Sequence, residues 1–316
     1  MQVAQDVVGV DVAKAELCAF TLPRGERQTL ANRTVAIRSW LARLAPGACI
    51  AVESTGSYHQ LLVRLAQQAG RVVYVLNAKD VYFYAKALGV RGKTDGSDAQ
   101  VIARYVAEHR ERLHPYRAGS AQQQRLVELL RRRSQLQRHL EALSECLRGV
   151  APLRAQRQAL QRQAARWLAQ LDAKIQEVVH EQAEMAEGYR RLLTITGIGP
   201  QSAALLTAVL GRLPFGNVDA VVAYSGLDPR PADSGTHRGR RRLTKRGPAL
   251  LRKLLWLAAF SAGHSKLFGP MHEALRQRGL TATEATVVLA RKLLRIAWGI
   301  WRSGQDFDPV KALARA

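Results

Sequence analysis

Lys93-Thr94-Asp95-Gly96-Ser97-Asp98-Ala99 puts two carboxylates three positions apart at the head of an apolar-periodic run. Val101, Ile102, Tyr105 and Val106 recur at helical spacing, which predicts a helix from the Asp95–Asp98 region to about His109. Side chains at i and i+3 in a first turn are neighbours, so these carboxylates repel. A hard divalent cation, which takes oxygen ligands, relieves that repulsion. A plain helix cap is the alternative, with Thr94 or Asp95 capping and Asp98 favoured by the helix dipole. Two more carboxylates, Asp11 and Glu53, each end a short β-branched run. Far along the chain Ser234-Gly235 offers a hydroxyl beside a cluster of arginines.

The elements that must position these groups can be read in order. Strands are expected at Val7–Val12, Leu17–Leu22, Gln28–Thr34, Cys49–Glu53 and Val72–Leu76. Helices are expected at Ile37–Leu44, Tyr58–Ala69, Asp80–Leu88 and from Asp95. Strand hairpins followed by alternating helices give a mixed sheet with helices on its faces. The ends of the first and fourth strands can then lie side by side, where ligand crevices form. Asp11 and Glu53 would share one cleft, and the following helix would deliver Asp95 and Asp98 to it. Four carboxylates at one spot need cations.

Composition narrows the partner. The 316 residues carry a net charge of +23, of which +5 falls in residues 1–115, +4 in 116–188 and +14 in 189–316. That skew implies a polyanion, and nucleic acid in particular. No run approaches the roughly 18 apolar residues of a membrane span, and the start of the chain lacks a signal-peptide pattern. Cys18, Cys49 and Cys146 form no zinc-type pair, so a reducing cytoplasm is expected.

From Ser120 the pattern changes. Leu126, Arg133, Leu140 and Leu147 are spaced by seven, and Leu129, Leu136 and Leu143 fill the other heptad seam. Pro152 breaks this helix, and a second polar one carries Leu153, Leu160, Trp167, Leu171 and Val178. The pair reads as an antiparallel coiled-coil hairpin, suited to dimerisation or to a nucleic-acid arm. Next, Gly197-Ile198-Gly199-Pro200 opens a small-residue helix, Gln201–Leu210, and a Gly-x-Gly turn there can cradle a phosphate. Asp228–Arg242 shows no apolar periodicity and is expected to be an exposed loop. Six of the ten residues His237–Arg246 are basic: Arg238, Arg240, Arg241, Arg242, Lys245 and Arg246. Helices Leu250–Ala262 and Thr283–Trp301 would back it.

In order along the chain stand a strand Asp, a strand Glu, Lys-x-Asp-x-x-Asp-Ala, a coiled coil, Gly-Ile-Gly-Pro, Gly-Leu-x-Pro, Ser-Gly and Lys-Arg-Gly. This series resembles the DEDD transposases of the insertion-sequence one-ten group, relatives of the pilin-gene inversion recombinase. The resemblance implies an α/β plus all-α protein in three parts. These are a RuvC-like, ribonuclease H-type domain (1–115), a coiled-coil hairpin (116–188) and a mainly helical transposase domain with a serine loop (189–316). It assigns the DEDD set to Asp11, Glu53, Asp95 and Asp98, which would hold Mg²⁺ or Mn²⁺, and the nucleophile to Ser234. Ser225 is the weaker candidate, since the family usually has alanine there. Thr244 stands where a serine often precedes Lys-Arg-Gly, which argues against a catalytic need for that hydroxyl. Implied partners are target and donor DNA, a structured noncoding bridge RNA and further copies of the chain as dimer or tetramer, acting in a bacterial cytoplasm.

The implied reaction is attack of the serine on a phosphodiester, giving a phosphoserine that conserves bond energy for resealing. Serine needs activation for this, and carboxylate-bound metal with Arg238, Arg240, Arg241 and Arg242 would supply it. The acidic cleft and the serine loop would then have to meet, within one subunit or between two. Two rivals stand beside this reading. One is a RuvC-like nuclease or Holliday-junction resolvase using water. The other is a non-catalytic binding protein whose acidic cluster is structural.

Overall fold

The two β-branched runs that end in carboxylates fold as strands with the expected bounds: β1 is Val7–Val12 and β4 is Cys49–Glu53. The computed structural model describes residues 6–54, 56, 58–89, 95–230, 239 and 241–313. The chain divides into two compact units, residues 1–118 and 119–316. In the first, β2 (Glu16–Leu22) and β3 (Glu26–Ala31) follow β1. Then come α1 (Thr34–Arg43), β4, α2 (His59–Gln68), β5 (Val73–Leu76), α3 (Ala78–Ala87) and α4 (Asp95–His109). The third strand starts ahead of the expected Gln28 and stops short of Thr34. Its antiparallel register with β2, from Thr21 opposite Glu26 to Glu16 opposite Ala31, fixes both ends, and Thr34 belongs to a helix.

The five strands lie in the order β3-β2-β1-β4-β5. β1 pairs antiparallel with β2 and parallel with β4, so the sheet is mixed. This is the mixed sheet with helices on its faces that the order of elements predicted. Both faces are covered, which is why β1 and β4 read as continuous apolar runs rather than alternating ones. On one face Val8, Val10 and Val52 pack with Trp40 of α1 and Leu62 of α2. On the other, Val7, Ala51 and Leu76 pack with Ala99, Ile102 and Val106 of α4.

The second unit opens with α5 (Ala121–Cys146), started by a Ser120–Gln123 capping box, and α6 (Arg154–His180). The two run antiparallel as a long hairpin. Arg133 holds Asp172 through paired hydrogen bonds of 2.5 and 2.8 Å. Eleven residues further along α5, Ser144 accepts from Gln161, eleven residues back along α6, at 3.0 Å. The constant register explains how a predicted heptad position, Arg133, sits in the seam: its charge is met across the hairpin. The leucine seams themselves are only partly buried. Leu126 is fully covered, and so is Leu130 outside the expected heptads, whereas Leu143 and Trp167 are more than two-fifths exposed.

The cause is that the base of the hairpin is packed into a larger core. Leu126, Leu130, Ile175 and Val179 join a cluster with Leu206, Leu255 and Leu293. These belong to α8 (Pro200–Arg212), α10 (Ala249–Gly263) and α12 (Ala282–Ser303). Around them stand α7 (Ala183–Leu193), α9 (Val218–Ser225), α11 (Gly269–Gln277) and α13 (Pro309–Leu313). Among the described residues no helix is long and apolar enough to cross a membrane.

Two leucines from the predicted seams therefore separate in stability. Leu126→Ala is expected to cost about 2–5 kcal/mol as a core cavity. Leu143→Ala should stay within about 0.5 kcal/mol of wild type, as an exposed change does. Urea denaturation of the full chain checks both.

Candidate functional site

In the parallel ladder Val10 pairs with Val52, so the next residues, Asp11 (last but one in β1) and Glu53 (last in β4), lie at the ends of adjacent strands. Neighbouring strands run about 4.8 Å apart. Side chains alternate along a strand, and Val7, Cys49 and Ala51 face α4. Asp11 and Glu53 continue those same rows onto the α4 side, and both are half-buried.

What brings α4 there is Gly9. A Cβ at that position would collide with the carbonyl oxygen of Ala99 and the amide nitrogen of Ala103, and would lie 2.9 Å from Ala103 Cα. The helix backbone thus rests directly on β1, one residue after the half-buried Asp98. Arg27 Nη2 donates to Gln100 Oε1 at 3.2 Å and ties the same turn to β3. Asp95 begins α4 as expected; its side chain, like Lys93 and Thr94, lies outside the described residues. Sequence reasoning passed over Gly9, although a glycine inside a β-branched run is itself a signal of close backbone approach.

Asp11 and Glu53 at the strand ends and Asp98 near the helix start are carboxylates, the donor type that a hard divalent cation takes. Among the described residues, no three His, Cys, Asp or Glu side chains stand together closely enough to hold one ion.

The second set of candidates sits around the basic segment. Ser234, Arg238 and Arg240 lie outside the described residues. The flanks of that segment are ordered by contacts that its sequence did not announce. The expected open loop Asp228–Arg242 is closed at its base by β6 (Pro229–Arg230) and β7 (Arg242–Leu243), which pair antiparallel. Just beyond the ladder, Thr244 N donates to Asp228 O at 3.0 Å, and Thr244 Oγ1 donates to Asp228 Oδ1. Thr244 is therefore a structural hydroxyl, in keeping with its departure from serine.

Below the ladder two glycines cross. Gly226 closes α9 at φ +69°, and a Cβ on it would lie 2.8 Å from the amide nitrogens of Arg246 and Gly247. A Cβ on Gly247 would in turn strike Tyr224 O and lie 2.6 Å from Ser225 C. Arg252 stitches the crossing: its Nη1 donates to Ser225 O at 3.2 Å and to Gly247 O. Burial pushes the Arg252 guanidinium below its ordinary pKa. Ser225 is fully buried, its Oγ donating to Val222 O at 2.6 Å and accepting from Leu227 N at 3.2 Å. It is a helix-end hydroxyl, and its geometry gives it no access to a substrate.

Lys245 takes the left-handed backbone region, at φ 53°. That conformation costs a non-glycine residue about 1–2 kcal/mol, and the Lys245 N–H to Gly226 O bond of 3.1 Å helps hold it. Strain of this kind gathers at functional segments. With it, Arg241, Arg242 and Lys245 line a crevice of about 320 Å³ together with Leu243 and Glu284. Arg246 is exposed beside them.

The Gly-x-Gly turn divides. Gly197 has a packing duty, since a Cβ there would lie 2.5 Å from Ala262 Cβ and 2.6 Å from Ala258 O of α10. Gly199, the N-cap of α8, has open space where its side chain would be.

Comparison with known proteins gives the family. The DEDD transposase profile of the IS110 family matches residues 8–152, and the profile described as "Transposase IS116/IS110/IS902 family" matches residues 189–272. The pilin gene-inverting protein of Moraxella lacunata is 27% identical, over 95% of this chain and 97% of its own. That of Moraxella bovis is 29% identical, over 81% of each. Among solved structures, Thermus thermophilus RuvC in complex with a Holliday junction substrate aligns with 35% of this chain and 99% of its own, at TM-score 0.27 and 16% identity. The protein is an enzyme of the DNA transposase and recombinase class. It belongs to the IS110 family of DEDD transposases.

Two substitutions test the local supports. Gly9→Ala is expected to destabilise the sheet unit by about 3 kcal/mol through overpacking and to abolish DNA cleavage by displacing α4. Arg252→Met should cost about 1–3 kcal/mol by stranding two carbonyls. Thermal melts of the full chain, with a cleavage assay for Gly9→Ala, read the outcome.

Proposed function

We propose that this transposase is an RNA-guided recombinase that cuts and rejoins DNA through a phosphoserine at Ser234. The observation that carries the reading is the closed base of the segment containing Ser234. The β6–β7 ladder, the Asp228–Thr244 bonds and the Arg252 stitch hold both ends of that segment together. A segment tethered at both ends loses less freedom when it positions a nucleophile.

In the reaction Ser234 Oγ forms a bond to phosphorus while the bond from phosphorus to the deoxyribose oxygen breaks. The serine gives up its proton, the departing oxygen gains one, and a free hydroxyl end results. Reversal with a different DNA hydroxyl reseals the strand without ATP. Arg241, Arg242 and Lys245, which line the basic crevice, hold phosphate oxygens and offset charge as it builds. Arg238, Arg240 and Arg246 add positive charge in the same stretch of sequence. Asp11, Glu53, Asp95 and Asp98 would be the ligands for Mg²⁺ or Mn²⁺. A divalent cation there would supply charge neutralisation at the phosphate and at its attacking and leaving oxygens.

Sequence choice falls to a structured noncoding RNA pairing with target and donor DNA. Family membership supports this, as does the hairpin, where Arg131, Arg132, Arg138, Arg154, Arg162 and Arg166 are exposed. Recombination of two duplexes calls for at least a dimer, and the reaction is placed in the bacterial cytoplasm.

The test is denaturing electrophoresis of labelled DNA incubated with protein, RNA and Mg²⁺. Wild type is expected to give label that migrates with protein. Ser234→Ala should bind RNA and DNA normally and give none, and Asp98→Ala should lose at least a hundredfold in cleavage while its melting temperature holds or rises. Adduct from Ser234→Ala moves the nucleophile elsewhere, and cut DNA without adduct in wild type makes water the nucleophile.

A further inference from the structure

α3 leaves the sheet at the edge where Glu53 ends β4. Glu53 pairs with Leu76, the last residue of β5, and Ser54 N donates to Leu76 O at 2.9 Å. Asn77 then caps α3, its side chain accepting from Lys79 N at 3.0 Å.

One side of this helix is committed to packing. Val81 is buried, and the Tyr84 ring stands edge-on to Tyr105 and His109 of α4 at 5.2 and 5.7 Å. Burial, with the Glu108 carboxylate nearby, pushes the Tyr84 phenol up to about 12. The other side shows Lys79, Tyr82, Phe83 and Lys86, all exposed. Tyr82 and Phe83 are 54% and 56% exposed, with ring centroids 5.5 Å apart, and Lys86 Nζ lies 4.8 Å from the Tyr82 centroid. Adjacent aromatic rings this open contribute little to folding. Their charge setting is cationic: from Asn77 to Lys93 the sequence has Lys79, Lys86, Arg91 and Lys93 against Asp80.

We propose that this face of α3 is a stacking platform for unpaired bases of the DNA strand next to the phosphate being cut. The proposal rests on reading Asp11, Glu53 and Asp98 as part of the cutting site. Every base has a π-face that an aromatic side chain can stack on, whatever the sequence, while lysines take the backbone charge. In an intact duplex those faces are already covered by neighbouring bases. The platform therefore favours DNA that has been opened, as strand exchange requires, and does so at the edge of the sheet that carries the carboxylates.

The experiment uses the full chain in chelator, so that no cutting occurs. Fluorescence anisotropy measures binding of a single-stranded DNA oligonucleotide, its duplex and an RNA of the same sequence. The double variant Tyr82→Ala/Phe83→Ala is expected to bind single-stranded DNA about tenfold more weakly or worse. Duplex affinity should change less than about twofold, because phosphate contacts dominate it. Quenching of 2-aminopurine in the bound strand should be lost with the rings and kept in Tyr82→Phe/Phe83→Tyr. Unchanged single-strand affinity, an equal loss for duplex, or a loss confined to RNA overturns the platform. Both rings are exposed, so the double variant should melt with wild type, and each single alanine variant should show part of the loss. Cleavage by Asp98→Ala tests the carboxylate reading separately, since binding in chelator does not depend on it.

Discussion

The first unit depends on one close approach, the backbone of α4 against the backbone of β1 at Gly9. Helix and strand usually meet through side chains, which keep the two backbones apart. Here the missing Cβ lets Ala99 and Ala103 reach the strand itself. The small residues Ala51, Ala99 and Ala103 continue the same tight seam, and all are fully buried. Because the seam is tight, α4 has little freedom to slide along it. The start of α4 is thereby fixed beside the ends of β1 and β4, where Asp11 and Glu53 stand. A helix start held this way is positioned by close packing alone.

The second unit solves a similar problem with different parts. A long polar segment must leave a helical core and return to it at a fixed place. Gly226 and Gly247 let the outgoing and returning backbones cross in contact, and Arg252 donates to a carbonyl on each. An arginine can do this because a single terminal nitrogen of its guanidinium carries two N–H donors. The short β6–β7 ladder and the Asp228–Thr244 bonds then carry the closure outward toward the basic crevice. The left-handed Lys245 lies between these supports, where surrounding contacts can hold a conformation that an isolated chain would avoid.

Within the second unit the hairpin shows how a periodic pattern and its burial can part company. Leu126 and Leu143 look equivalent as heptad residues, yet one is fully covered and the other 47% exposed. The difference is made by α8, α10 and α12, which surround only the base of the hairpin. Farther out, the helices are matched by polar pairs such as Arg133–Asp172 and Ser144–Gln161. Such pairs fix register without supplying the burial of a leucine seam, which suits an arm whose surface is to carry charge.

The sequence by itself determined the order of strands and helices in the first unit, the carboxylates at the ends of β1 and β4, and the start of α4. These follow from local rules: β-branched runs, helical periodicity and acidic residues at a helix head. It also determined the family, because eight motifs in a fixed order are specific where each alone is weak. It did not show that Gly9 brings α4 down on the sheet, that Gly197 serves packing against α10, or that Asp228 and Thr244 close an apparent loop. Nor did it show which heptad leucines are buried. Those outcomes depend on partners from 16 to more than 160 residues away, and no local pattern encodes which distant backbone will arrive. Only the tertiary structure decides that, because close packing, not propensity, selects among arrangements that the local sequence allows equally.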